Sequence, residues 1–132
     1  MDMPYITINN LTYKYPGNEK ITLNNININI ERGDIVLVCG NSGSGKSTLG
    51  KCIAGSVPNF YGGTIRGEIK INNKNIKEFT PKELAEKVTM VFQDPERQLL
   101  MNKVHREVAF GLENIGIPSE VIKRRVYESM EF

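Results

Sequence analysis

One segment limits the choice of fold more than any other. A continuous apolar, β-branched run, Ile35-Val36-Leu37-Val38-Cys39, leads without a break into Gly40-Asn41-Ser42-Gly43-Ser44-Gly45-Lys46-Ser47-Thr48. Such a run predicts a strand covered on both faces, the environment of a parallel sheet. Downstream, Leu49, Cys52 and Ile53 share one face of a helix beginning near Gly45, with Gly55 as its stop. A buried strand, a glycine-rich loop and a helix in direct succession make an α/β fold. The glycines allow the backbone N–H groups of Ser42 to Lys46 to turn inward, which forms an anion-binding concavity. The helix start adds its unpaired N–H groups and the positive end of its dipole.

The remainder of the chain separates into recognisable pieces. Ile6 and Ile8 flank Thr7, and Ile26, Ile28 and Ile30 alternate with asparagines, which predicts half-buried antiparallel strands. Tyr15-Pro16-Gly17-Asn18 and Glu31-Arg32-Gly33-Asp34 carry turn chemistry. Residues 56–79 are turn-rich around an alternating stretch at Ile65, Ile69 and Ile71. Thr80-Pro81-Lys82-Glu83 is a capping box that starts a short helix through Lys87. Val88-Thr89-Met90-Val91-Phe92 reads as a second buried strand. Val104, Val108, Leu112 and Ile115 form an apolar stripe ended by Gly116 and Pro118. A last helix is expected with Ser119 as N-cap and Ile122, Val126 and Met130 on one face. There is no internal repeat, low-complexity tract or flexible linker.

Composition removes several function classes. The 132 residues carry 17 Lys+Arg against 15 Asp+Glu, a formal charge of +2, so no electrostatic footprint for nucleic acid is present. Cys39 and Cys52 lie outside any CxxC or His-rich pattern, and both are expected as small buried hydrophobes. Met-Asp-Met-Pro has neither a basic nor an apolar leader region. No apolar run reaches the roughly 20 residues of a membrane span. These features set the expectation of a cytoplasmic chain whose membrane role, if any, runs through a partner.

Gly40 to Ser47 matches G-x-x-x-x-G-K-[ST] without a gap. In that pattern Lys46 supplies a point charge to the β- and γ-phosphates, and the Ser47 hydroxyl ligates Mg²⁺, which takes oxygen ligands. The bland alternative, an accidental glycine-serine turn, does not require the strand and amphipathic helix that flank this one.

With Glu31-Arg32-Gly33-Asp34-Ile35-Val36-Leu37-Val38 before it, the loop resembles the Walker A segment of ATP-binding cassette (ABC) transporter ATPases. The resemblance implies an α/β P-loop NTPase core with an N-terminal antiparallel β subdomain, and ATP with Mg²⁺ as its ligands. It implies that Gly40, Asn41, Ser42, Gly43, Ser44, Gly45, Lys46, Ser47 and Thr48 surround the nucleotide. Leu11-Thr12-Tyr13-Lys14-Tyr15-Pro16 is similar to the A-loop, making Tyr15 the ring that stacks on adenine and Tyr13 its rival. Val91-Phe92-Gln93-Asp94-Pro95 resembles the Q-loop, whose glutamine, Gln93, reaches Mg²⁺ and the attacking water. Asp94 superficially imitates a Walker B acid, but Gln93 interrupts the apolar run and Pro95 follows.

A finer likeness lies in Gln93-Asp94-Pro95-Glu96-Arg97-Gln98-Leu99 and Glu107-Val108-Ala109-Phe110-Gly111-Leu112-Glu113-Asn114. These are similar to the ATPase subunits of energy-coupling factor transporters, which take up vitamins, cobalt or nickel. A second glutamine after the Q-loop is characteristic there, and Gln98 matches it. The implied partners are a second ATP-binding subunit and an integral membrane transport subunit, with no nucleic acid. Leu99-Leu100-Met101 offer either an apolar groove for the membrane partner or ordinary core packing. His105 and the run Lys123-Arg124-Arg125 read as solvated helix residues.

The resemblance covers residues 1–132 as the N-terminal part of one such domain. Within them there is no Leu-Ser-Gly-Gly-Gln signature, no Walker B strand ending in Asp-Glu and no later switch histidine. The chain is therefore expected to be truncated before the signature and to bind nucleotide without hydrolysing it alone. Unpaired strand edges are expected where the parallel sheet is incomplete. The alternatives are a soluble ABC-type ATPase acting on DNA or ribosomes, and another P-loop NTPase. A GTPase would carry an Asn-Lys-x-Asp segment, which is absent.

Overall fold

The computed structural model describes residues 4–94, 96 and 98–131. Pro95 and Arg97 of the Q-loop comparison, and the first three residues of the Met-Asp-Met-Pro leader reading, lie outside that set. The chain divides into two compact units, 1–84 and 85–132.

The first unit is built on antiparallel strands, as the alternating isoleucines require. Strands β1 (Ile6–Lys14), β2 (Leu23–Ile30), β3 (Thr64–Ile71) and β4 (Lys74–Asn75) form a sheet in the order β2-β1-β3-β4. Cross-strand partners carry the apolar face: Ile6 lies opposite both Ile30 and Ile71, and Ile8 lies opposite Ile28 and Ile69. The β1 register shifts after Ile8 on the β2 side and after Asn9 on the β3 side. Asn10 takes a left-handed φ of 50° at that irregularity, and Gly67 faces it at φ 85°. A Cβ on Gly67 would run into the carbonyls of Asn9 and Asn10, so only glycine lets β3 close on the bulge.

Helix α1 (Lys46–Ile53) lies against this sheet. Leu49 and Cys52 bury themselves among Ile8, Leu11, Tyr13, Leu23, Val57 and Ile69, with Ile53 at the margin of the cluster. Burial pushes the Cys52 thiol up to about 12. The sheet thus fixes the helix whose first residues belong to the glycine-rich loop. Asn75 then caps a 3₁₀ turn at Ile76–Glu78 by accepting the Lys77 amide at 3.0 Å. Helix α2 (Pro81–Ala85) begins with the expected capping box and is shorter than the sequence reading. The Thr80 amide donates to Glu83 Oε2 at 2.7 Å, and the Glu83 amide donates to Thr80 Oγ1 at 3.2 Å.

The two apolar runs depart from expectation. Residues 35–39 and 88–92 form no strand and are not buried runs. Ile35 is 100% exposed, Leu37 85% and Val91 86%. A strand is a property of a pair, and among the described residues no neighbour supplies a ladder to either run. Cys39, expected as a buried hydrophobe, is accordingly exposed.

The second unit holds helices α3 (Val104–Asn114) and α4 (Ser119–Met130). Gly116 takes a left-handed φ of 77° between them, as the glycine stop requires. Ala109 and Ile122 are their buried residues and line a shared groove of about 560 Å³. The α3 stripe falls on one helical face as expected, exposed at Val104 and half-buried at Leu112 and Ile115. One further reading is corrected. Ser119 is the first helical residue and not the N-cap; that position falls to Pro118, which has no side-chain donor or acceptor.

Candidate functional site

The site begins with the turn from Gly40 to Gly45. The Ser44 amide donates to the Asn41 carbonyl at 3.1 Å, closing the loop tightly and committing one of the amides expected to face inward. Gly43 and Gly45 hold φ values of 78° and 95°. At Gly45 a Cβ would sit 3.0 Å from both Leu23 Cδ2 and the Thr22 carbonyl. Glycine here lets the loop lie directly against the start of β2.

Gly45 is also the N-cap of α1, and it provides no side-chain cap. The first ladder bond runs from the Leu49 amide to the Gly45 carbonyl at 2.9 Å. The amides of Lys46, Ser47 and Thr48 therefore lie ahead of the helical ladder. No acidic residue stands in the first turn to offset their partial positive charge. The helix start is electrostatically open to an anion.

The Lys46 ammonium folds back over the loop. Its Nζ donates to the carbonyls of Gly40 and Asn41, each at 2.8 Å, and lies 3.4 Å from Ser44 Oγ. These contacts centre a full positive charge on the concavity, with all three ammonium donors directed at loop oxygens. Ser47 is exposed at the helix start, whereas Thr48 is 6% exposed and turned toward the core. The Thr48 hydroxyl lies 3.2 Å from the Tyr15 hydroxyl.

That contact brings Tyr15 beside the loop helix. Tyr13 and Tyr15 meet edge to face, with centroids 4.9 Å apart and planes at 82°. Tyr13 is fully buried and donates its hydroxyl to the Gly62 carbonyl at 2.8 Å. Burial, with Tyr15 and Cys52 nearby, raises the Tyr13 phenol above its ordinary value. Of the two tyrosines only Tyr15 keeps partial exposure.

Gln93 stands in the second unit and is exposed. Leu99 and Leu100 are exposed as well, at 61% and 66%, which decides against core packing for that pair. Two side chains hold the surrounding backbone. Gln98 Oε1 accepts the Phe92 amide at 3.0 Å while its Nε2 donates to the Met90 carbonyl at 3.2 Å. Glu107, in the first turn of α3, accepts the amides of Leu100 and Met101 at 3.0 and 2.6 Å. Sequence reasoning gave Glu107 no role. Its signal was an acidic residue in the first turn of a helix beside a polar loop.

The site is thus a glycine-rich loop with a centred lysine that leads into an uncapped helix start. The ABC transporter family matches residues 23–131. The chain belongs to that family. It is 40% identical to an ABC transporter ATP-binding protein of Methanosarcina mazei, over 99% of this chain and 23% of the relative. An ABC transporter ATP-binding protein of Enterococcus faecalis is 39% identical over 99% of this chain and 23% of its own length. The solved structure of CbiO1 from Clostridium perfringens, part of the ABC transporter complex CbiONQ, superposes with a TM-score of 0.76 at 32% identity. It is covered over 50% of its length and covers 98% of this chain. The chain thus spans about a quarter of the length of those two relatives and half of that structure. Among the described residues no helix is long and apolar enough to cross a membrane.

Proposed function

We propose that residues 1–132 form the N-terminal, nucleotide-holding part of an ABC ATP-binding domain, of the type that powers energy-coupling factor import. The observation that carries this reading is the Lys46 ammonium centred over Gly40–Ser44 at the open start of α1. A polyphosphate is the ligand whose charge and oxygen acceptors match that arrangement. Lys46 and the amides of Lys46 to Thr48 hold the phosphates, and Tyr15 presents its ring to adenine. Neutral oxygen donors, the Ser47 hydroxyl and the Gln93 carboxamide, suit Mg²⁺ shared with phosphate oxygens. Among the described residues no cluster of three acidic, His or Cys side chains offers the ion a cage of its own. Bound there, Mg²⁺ neutralises phosphate charge.

Hydrolysis requires more than these residues supply. Phosphoryl transfer rests on positioning and electrostatic stabilisation of the transferred group. Residues 1–132 carry no acid ending an apolar strand to hold the metal, and no signature to close over ATP from a second subunit. Function therefore involves a second ATP-binding subunit and an integral membrane transport subunit, with the chain at the cytoplasmic face of the membrane. The likeness to CbiO1, named as part of a transporter complex, supports that assignment. The test is phosphate release from ATP by the purified chain beside Lys46→Ala. The expected result is equal release from both; Lys46-dependent turnover contradicts nucleotide holding without hydrolysis.

A further inference from the structure

The carboxamide of Gln98 does the work of a missing strand. It accepts from the Phe92 amide at 3.0 Å and donates to the Met90 carbonyl at 3.2 Å. Bonding a carbonyl and the amide two residues later is how one residue of a parallel neighbour bridges a strand. Residues 88–92 have no ladder partner among the described residues, so this side chain supplies the bridge around Val91. Gln93 follows Phe92 directly, with its backbone amide one peptide beyond the clamp. On the far side, Glu107 fixes the amides of Leu100 and Met101. Described residues on either side of Gln93, Met90 and Phe92 before it and Leu100 and Met101 after it, are thus held by side-chain-to-backbone bonds, and Gln98 is the tie nearest Gln93.

From this geometry we propose that Gln98 is a positioning residue, whose pair of hydrogen bonds to the backbone at Met90 and Phe92 sets where Gln93 presents its carboxamide. The inference rests on the reading that Gln93 meets Mg²⁺ beside the bound nucleotide. A glutamine suits the post because one planar group offers an acceptor and a donor side by side. Leucine of similar size offers neither, and glutamate keeps only the acceptor at neutral pH.

The experiment uses the 132-residue chain and two readouts: hydrogen exchange at the Phe92 amide, and ATP affinity with Mg²⁺ against ATP affinity in chelator. Gln98→Leu should speed Phe92 exchange about tenfold, the worth of one net hydrogen bond. It should lower the Mg²⁺-dependent gain in affinity as far as Gln93→Ala does, with affinity in chelator within about twofold of the unmodified chain. Combining the two substitutions should lower the gain no further. Gln98→Glu, which keeps the acceptor for Phe92 but turns a carboxylate oxygen toward the Met90 carbonyl, should leave Phe92 protection and the gain between those of the unmodified chain and of Gln98→Leu. Unchanged exchange in α3 and α4 reports that the second unit is intact. If Gln98→Leu loses it, the same two readouts are taken from Gln98→Glu, and a gain equal to that of the unmodified chain despite faster Phe92 exchange overturns the positioning role. If Gln93→Ala lowers the gain and the Gln98 substitutions do not, the positioning role is overturned while the Gln93 reading stands. If Gln93→Ala itself leaves the gain unchanged, the Gln93 reading falls and this role falls with it.

Discussion

Two tyrosines two positions apart show how burial separates roles that residue type does not. Tyr13 fills the core and spends its hydroxyl on the Gly62 carbonyl. Tyr15 packs its ring on Tyr13 and reaches Thr48 at the edge of α1. Tyr13→Phe should cost about 1 kcal/mol of stability, one buried hydrogen bond, and leave nucleotide affinity unchanged. Tyr15→Ala should weaken adenine nucleotide binding by about 1–3 kcal/mol, the usual worth of base–aromatic stacking. Equilibrium unfolding and nucleotide titration of both variants check the pair, and the reverse pattern would move the adenine contact to Tyr13. The sequence alone left the two open, because β-strand alternation places both on the same face and only the depth of the core distinguishes them. The same holds for the cysteines. Cys52 is buried by a helix face that periodicity reveals, whereas the exposure of Cys39 follows from a strand cover that no local pattern can supply.

At the scale of elements, signals that are local succeeded and signals that depend on distant partners did not. The Thr80–Glu83 capping box is a four-residue device, and both of its reciprocal bonds are present. The backbone and hydroxyl of Thr80 hold the Glu83 carboxyl below its ordinary value of 4.5. A carboxyl whose pKa is lower folded than unfolded adds stability above the unfolded value and loses it as pH falls through the folded one. The start of α2 should therefore fray in a window beginning at about pH 4.5 and extending below it, an effect that Glu83→Gln should abolish. Amide exchange at Glu83 and Leu84 across that range measures it, and acid-insensitive protection would contradict the assignment. The alternating isoleucines at 6 and 8, at 26, 28 and 30, and at 65, 69 and 71 likewise marked β1, β2 and β3, since each strand brings its own apolar face to a neighbour within the same unit. By contrast, residues 35–39 and 88–92 carry the composition of central strands without their partners. A continuous apolar run states what environment a segment fits, and the described residues do not provide that environment. The turn of the glycine-rich loop was legible in Gly43 and Gly45, which hold positive φ, whereas the Ser44 amide, expected to face inward, bonds the Asn41 carbonyl. The backbone clamps by Gln98 and Glu107 were not legible, since they depend on where loops fold back on themselves.

Over the whole molecule, the first unit is a β sheet that buries one helix and thereby sets out the glycine-rich loop at that helix's start. The second unit is a clamped loop followed by a helical pair. Ile35, Leu37, Val91, Leu99, Leu100 and Tyr127 remain more than half exposed, a larger apolar display than a self-contained monomer needs. That display agrees with the coverage of the relatives, of whose length the chain matches about a quarter. The central claim, that Gly40–Ser47 is a working nucleotide cradle centred on Lys46, is tested most directly by titrating the purified chain with ATP and Mg²⁺ calorimetrically beside Lys46→Ala. The account predicts saturable binding with one site per chain, weakened about tenfold to a hundredfold by the substitution, the worth of charge-assisted bonds to phosphate. Binding that is absent from the unmodified chain, or equal in Lys46→Ala, would contradict it.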